Sequence, residues 1–283
     1  MAETPRIAAT FAPSLLRTCA AFLRRDALID ASYRANWIFR VVAIFFSLWS
    51  LFFLGRAFGG ASPFLSRFDG DYFGFALIGV AFTVMTGGAL SGVARRVREL
   101  QLLGGLEAIF AAPVAPIRLV LMLALYPSLL SLVQAGLFLC FGAWVFGAAA
   151  SLAGANLLAA ALIAFLTLAA HLALGVLSAS LVLVFKRGDP LAWLLGSLTY
   201  LLSGVVYPVE VLPSALRPLS LLLPATHALE GLRGALLLSA TWGALARPIG
   251  VLLLFCVALW PAAALCLRLA LKKALRDGSL GQP

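Results

Sequence analysis

Few side chains in this sequence could move a proton inside an apolar setting. His171 falls near the middle of a long uncharged run. His227 lies in a proline-broken stretch with Glu210 and Glu230. An ionisable group at membrane depth is a functional hypothesis by default, and the chemistry open to these groups is acid–base work in a lipid hydrolase or transferase. That reading requires His171, His227 or Glu230 to converge on one site, and the sequence places them at different depths. Acids are otherwise scarce there, which weakens it. The structural alternative for His171 is a neutral imidazole bonded to a neighbouring helix, with Gln134 or Thr167 as partner. For His227 it is a hydrogen bond that starts a helix or locks a hairpin.

Other chemistries lack their residues. The chain contains no GxxxxGK[ST], and none of its lysines follows a glycine-rich loop, so no P-loop is present. There is no HExxH and no cluster with metal-ligand spacing. The cysteines (Cys19, Cys140, Cys256, Cys266) show no CxxC and read as small buried hydrophobes. We therefore expect no catalytic residue, metal or cofactor in this chain. Aromatic rings concentrate between Trp37 and Phe82. Phe45, Trp49 and Phe52 form a stripe at helical spacing, overlapped by Phe46, Trp49 and Phe53. Such a stripe suits a pathway that grips apolar or sugar groups, and equally suits lipid-facing packing.

These residues must be held by membrane-embedded elements. The sequence is 63% hydrophobic and 11% charged, with a mean hydropathy of +1.05; soluble domains carry about 25% charged residues. No charge-rich stretch of domain length occurs, and Met1 to Pro13 does not read as a signal peptide. A spanning helix needs about 20 mostly apolar residues. Candidates are Trp37–Gly55, Tyr72–Ala94, two spans within the charge-free run Leu119–Phe185 broken near Gly147–Asn156, the short Leu191–Val206, and Pro248–Leu267. Helices are expected, because open sheets leave backbone groups unsatisfied in lipid. Six spans put sixteen of the 21 Lys and Arg on one side, which predicts cytoplasmic N- and C-termini. The net charge of +10 is then a topology signal with some attraction to anionic lipid, not a nucleic-acid footprint.

The proline-broken stretch Val206–Gly234 falls between spans five and six, on the external side. It reads as a re-entrant hairpin of two short helices, since irregular backbone at membrane depth survives where protein packs around it. Ser14–Asp30 puts Leu16, Ala20, Leu23 and Ala27 on one face and reads as an interfacial helix, with Asp26 and Asp30 blurring the pattern. In the first cytoplasmic loop, Arg95–Pro116, Gly104-Gly105 and Pro113 punctuate a short helix around Leu106–Ala111. The predicted fold class is an all-α membrane protein with six transmembrane helices, an N-terminal interfacial helix, a cytoplasmic coupling helix and an external re-entrant helical hairpin. It divides into an N-terminal segment (1–36), a transmembrane domain (37–271) with the loop helix at about 99–114 and the hairpin at about 206–234, and a cytoplasmic tail (272–283).

Two stretches resemble a known family. SGVVYPVEVLPSALRPLSLLLPATHALEGLRG, Ser203–Gly234, resembles the signature region of ABC-2 type transporter permeases. Its elements are Ser203-Gly204, Tyr207-Pro208, Leu212-Pro213, Pro224-Ala225-Thr226-His227, and Glu230 with Arg233. ELQLLGGLEAIFAAPVAP, Glu99–Pro116, resembles the family's coupling helix through Glu99, Gly104, Leu106, Glu107, Pro113 and Val114, with Gly105 and Ala112 where Thr or Ser is usual.

The resemblance implies a half-transporter. Two permease copies would pair, as a homodimer, and dock two copies of an ATP-binding cassette subunit that holds the ATP and Mg. Glu99, Gly104, Leu106, Glu107 and Pro113 would couple the ATPase to the spans. Tyr207, Pro208, Glu210, Pro213, Pro224, His227, Glu230 and Arg233 would form the hairpin over the exit. Phe45, Trp49, Phe52 and His171 are candidates for the substrate pathway. The family moves lipid-linked polysaccharides, lipids and hydrophobic drugs outward. The scarcity of polar groups in the spans favours an amphipathic, lipid-like or drug-like cargo, with a polysaccharide or O-antigen-type export permease as the alternative. The expected location is the cytoplasmic (inner) membrane of a prokaryote, among membrane lipids and without nucleic acid. The remaining classes are an intramembrane enzyme and a scaffold that binds an ATPase without transporting.

Overall fold

The computed structural model describes residues 15–58, 63–68, 71–104, 115–146, 154–185 and 189–276. Among them the ordered elements are all helical. Helix α1 spans Leu15–Ser32 and α2 spans Arg34–Phe58. A 3-10 turn, Pro63–Phe68, precedes α3, Tyr72–Leu102. Then come α4, Pro116–Val145, and α5, Leu157–Phe185. Helix α6 is Pro190–Leu202. After a 3-10 turn at Val209–Val211 follow α7, Arg217–Leu221, α8, Pro224–Leu236, and α9, Trp242–Arg276.

Five of these, α2, α3, α4, α5 and α9, are long and apolar enough to cross a membrane. The chain is a multi-pass membrane protein. The stretch expected as a fifth span is shorter than the sequence suggested. Helix α6 has 13 residues, about 20 Å at 1.5 Å per residue, against a hydrocarbon core of about 30 Å. It stops because Gly204 takes φ +77°, a left-handed conformation that glycine adopts without a Cβ clash. At its start, Asp189 accepts the Ala192 amide at 3.0 Å, with Pro190 in the first turn.

Other boundaries also move. Arg95–Leu102, assigned to a loop from its charge, continues α3 for two more turns. The helix ends where Gly104, φ +67°, returns its amide to Gln101. Residues 105–114 lie outside the described residues, and with them the loop helix Leu106–Ala111. Helix α9 extends past Pro248–Leu267 at both ends, so Lys272–Arg276 are helix rather than tail. The break between the third and fourth spans falls where the sequence placed it, between Val145 and Leu157.

The core has two tiers. One joins α3, α4, α5, α8 and α9 around Phe75, Phe82, Phe138, Ile163, Leu229 and Leu252. The other joins α3, α4, α5 and α9 around Val97, Val120, Val182 and Leu267. Leu259 and Trp260 of α9 pack against both. Lipid offers little hydrophobic incentive for helices to associate, so close packing and hydrogen bonds carry it. Glycines serve that end. A Cβ on Gly175 of α5 would meet the Ala89 carbonyl of α3, and one on Gly88 of α3 would meet Pro127 and Ser131 of α4. Helix α2 touches this bundle through the buried Leu48 and Leu51, with only 11% of its apolar window buried. Of the cysteines, only Cys256 is buried; Cys140 and Cys266 face outward, contrary to the expectation of buried hydrophobes. Below, the end carrying residues 203–237 is the hairpin end, and the end carrying Arg95–Arg98 and Lys272–Arg276 is the basic end.

Candidate functional site

At the hairpin end, α8 is buried along its length except for Glu230. Pro224 sits in its first turn, where a missing amide is harmless. Arg233 is the organising side chain. Its Nη1 donates to the Gly204 carbonyl at 2.7 Å and its Nη2 to Val205 at 2.8 Å. Nε and Nη2 donate to the Phe75 carbonyl at 3.2 and 3.1 Å. The guanidinium lies 3.4 Å from the Phe75 ring centroid. One residue thus joins α8, the first turn of α3 and the broken end of α6. The charge is neutralised by carbonyl dipoles at a helix C-terminus, which carry partial negative charge. Gly79 makes room: a Cβ there would strike the Val205 carbonyl and Arg233 itself.

The rest of the hairpin is tied by backbone acceptors. His227 Nε2 lies 3.0 Å from the Leu221 carbonyl, and Thr226 Oγ1 donates to the Ser220 carbonyl at 2.6 Å. Arg217 donates to the carbonyls of Leu212 and Glu210 at 3.0 and 2.6 Å. The Tyr207 hydroxyl donates to the Leu201 carbonyl. Pro208 caps the Val209–Val211 turn, and the Pro213 carbonyl accepts the Leu216 amide at 2.9 Å. Glu230 does not pair with Arg233, although one turn separates them. It faces outward into a cavity of about 460 Å³ shared with Glu210, Arg67 and Arg247.

His171 is buried in α5, with Nδ1 2.8 Å from the Thr167 carbonyl and the Phe82 ring edge-on at 5.6 Å. Gln134, the other partner weighed for it, lines a different cleft. A small cavity of about 110 Å³ touches His171 and Thr199, but neither His227 nor Glu230. The three groups an intramembrane hydrolase would need are therefore not brought together. The aromatic stripe is partly covered: Phe52 leans on Phe146 at 5.2 Å, while Phe45 and Trp49, edge-on to each other at 5.0 Å, are 41% and 43% exposed.

The basic end is built on ion pairs instead. Asp30 accepts two bonds from Arg40 at 2.9 and 3.1 Å and one from the Tyr126 hydroxyl at 2.9 Å. Asp26, fully buried, takes Arg25 at 2.8 Å and faces Arg96 at 3.6 Å; Arg96 also holds Glu99 at 3.1 Å. The two aspartates that blurred the amphipathic pattern of α1 are what fasten it to α2, α3 and α4. Its apolar positions Leu16, Ala20 and Ala27 are exposed on the chain. The signal missed in the sequence was this pair of acids within a basic segment. Of the coupling residues, Glu99 and Gly104 lie at the end of α3; Leu106, Glu107 and Pro113 lie outside the described residues.

Residues 18–237 match the family described as ABC-2 type transporter. A search of curated proteins finds no match.

Proposed function

Because the chain belongs to the ABC-2 type transporter family, we propose that it is the membrane-spanning permease subunit of an ATP-driven exporter. The family generally works with an ATP-binding subunit. On this reading two copies of the chain pair as a homodimer in a prokaryotic cytoplasmic membrane, both termini inside, and dock two ATPase subunits. The cargo is amphipathic, lipid-like or drug-like. Helix α6 together with the hairpin makes the sixth crossing, and residues 206–234 dip into the outer leaflet and return.

The observation that carries this reading is the seat of Arg233. A guanidinium bound by three carbonyls of two other segments holds a broken element rigidly against the bundle. That is what a fixed closure over a pathway needs, because irregular backbone in lipid must be packed in protein. At the other end, α3 runs as one helix from the Phe75 carbonyl past Glu99 to Leu102, so a push at the loop after Gly104 would reach the hairpin through one rod. ATP binding then acts by favouring one arrangement of the spans over another by a differential free energy.

The test is to purify the full chain from its native membrane in mild detergent and identify what accompanies it. An equimolar ATP-binding subunit, with lipid efflux from reconstituted vesicles that requires ATP, supports the proposal. A chain that retains that ATPase yet moves no lipid, drug or lipid-linked glycan would be a scaffold. Absence of any ATPase across several detergents would overturn the half-transporter reading.

A further inference from the structure

Between α1, α2, α3 and α4 lies a cleft of about 610 Å³. It runs along α3 from Thr83 to Glu99, about 24 Å at 1.5 Å per residue. Its mouth, at the basic end, holds the ion-paired aspartates and arginines; its deep end holds Gln134. We propose that this cleft binds a phospholipid whose head group carries both a phosphate and an ammonium, drawn from the leaflet at the basic end.

Three features lead there. The first is hydrogen-bonding capacity left over on both an arginine and a carboxylate. Among the described residues Arg95, in the lining, makes no hydrogen bond or ion pair. Asp26 is fully buried and takes Arg25 at 2.8 Å through Oδ1, while its Oδ2 has no hydrogen-bond donor and lies 3.6 Å from Arg96. Asp26, Arg95 and Arg96 all line the one cleft. A phosphate suits Arg95, since phosphate binds guanidinium by charge-assisted bonds, and an ammonium supplies the donor that Asp26 Oδ2 lacks. A purely anionic head would leave that oxygen without a donor.

The second feature is Gly87. Gly88 and Gly92 are explained by the close approach of Pro127 and Ser131, but a Cβ on Gly87 would meet nothing within 4 Å. Its missing side chain leaves the cleft open rather than letting a helix approach. The third is α2, which lends Arg40 to the lining while most of its apolar window stays exposed. The proposal concerns binding and does not depend on transport.

The test uses the full chain, purified and delipidated in detergent, with bound lipid counted by native mass spectrometry during titration. Phosphatidylethanolamine should bind about tenfold tighter than phosphatidylglycerol. Gly87→Leu, which fills the cleft, and Arg95→Ala should each weaken phosphatidylethanolamine binding by about tenfold. Gly136→Leu, also in open space but away from the cleft, should bind as the parent does. Thermal midpoints identify any variant that misfolds, and Gly87→Ala then provides the smaller step. Equal affinity for the two lipids, or undiminished binding by a folded Gly87→Leu, would overturn the proposal. Saturation by soluble O-phosphoethanolamine with no lipid preference would also overturn it, by placing a free phosphate-amine compound in the cleft.

Discussion

The two ends of this bundle hold charge in opposite ways. At the hairpin end a buried guanidinium is met by neutral carbonyl oxygens, and its neighbouring acids face outward. At the basic end buried carboxylates are met by arginines that remain partly in contact with solvent. The difference sets what each end tolerates. A carbonyl has a fixed position, so the segments around Arg233 have one arrangement. Long arginine side chains can follow a carboxylate over some distance, so the pairing of α1 with the end of α3 does not fix one arrangement.

Breaking the hairpin end should have the largest effect. Arg233→Ala leaves the carbonyls of Gly204 and Val205 without this donor and unties the Phe75 carbonyl of α3 from α8. Each buried acceptor left unsatisfied costs about 1–3 kcal/mol. We expect little folded chain, read as a collapsed size-exclusion peak. Glu230→Ala, one turn away but exposed, should fold normally. If the two variants lose stability equally, Arg233 is not the anchor.

Next in size is Gly79→Ala. Its added methyl meets the Val205 carbonyl, and overpacking of this kind costs about 1–3 kcal/mol. A lowered thermal midpoint in detergent checks it. At the basic end, Asp26→Ala should cost less, about 1 kcal/mol, because its arginine partners are part-exposed and surface ion pairs are worth about 0.2–1 kcal/mol. Its signature is local: faster hydrogen exchange in α1 with the hairpin unchanged. Should Asp26→Ala slow or speed exchange at the hairpin as much as in α1, the two ends are not independent. Smallest in stability is Glu107→Ala, expected to keep the parental midpoint while lowering the ATPase activity of the assembled complex. Full coupled activity in that variant would remove Glu107 from the proposed coupling role.

Much of this architecture was legible because lipid constrains so strongly. The charge-free run from Leu119 to Phe185 could only be two helices, and Pro208, Pro213, Pro218 and Pro224 excluded one straight span. What was not legible depends on partners distant in sequence. Arg233 could be read as half of a pair with Glu230; that it turns inward depends on Phe75, far along the chain, and on the carbonyls freed where Gly204 ends α6. Asp26 and Asp30 weakened the amphipathic pattern because a pattern counts polarity and not pairing. Arg95–Leu102 looked like loop since charge is the usual mark of a membrane boundary, yet arginine and glutamate are good helix formers, and α3 continues into water.

The shortness of α6 has a consequence for the bilayer itself. A rod of about 20 Å cannot cover a hydrocarbon layer of about 30 Å, so beside it roughly a third of the membrane's thickness must be occupied by something else. On the proposed reading the hairpin fills that depth, and the ties of Arg217, Thr226, His227 and Arg233 to backbone carbonyls let irregular backbone sit there. On the same reading, the exposed Glu210 and Glu230 line the cavity alongside at that same depth, which would shorten the apolar distance a head group has to cross there.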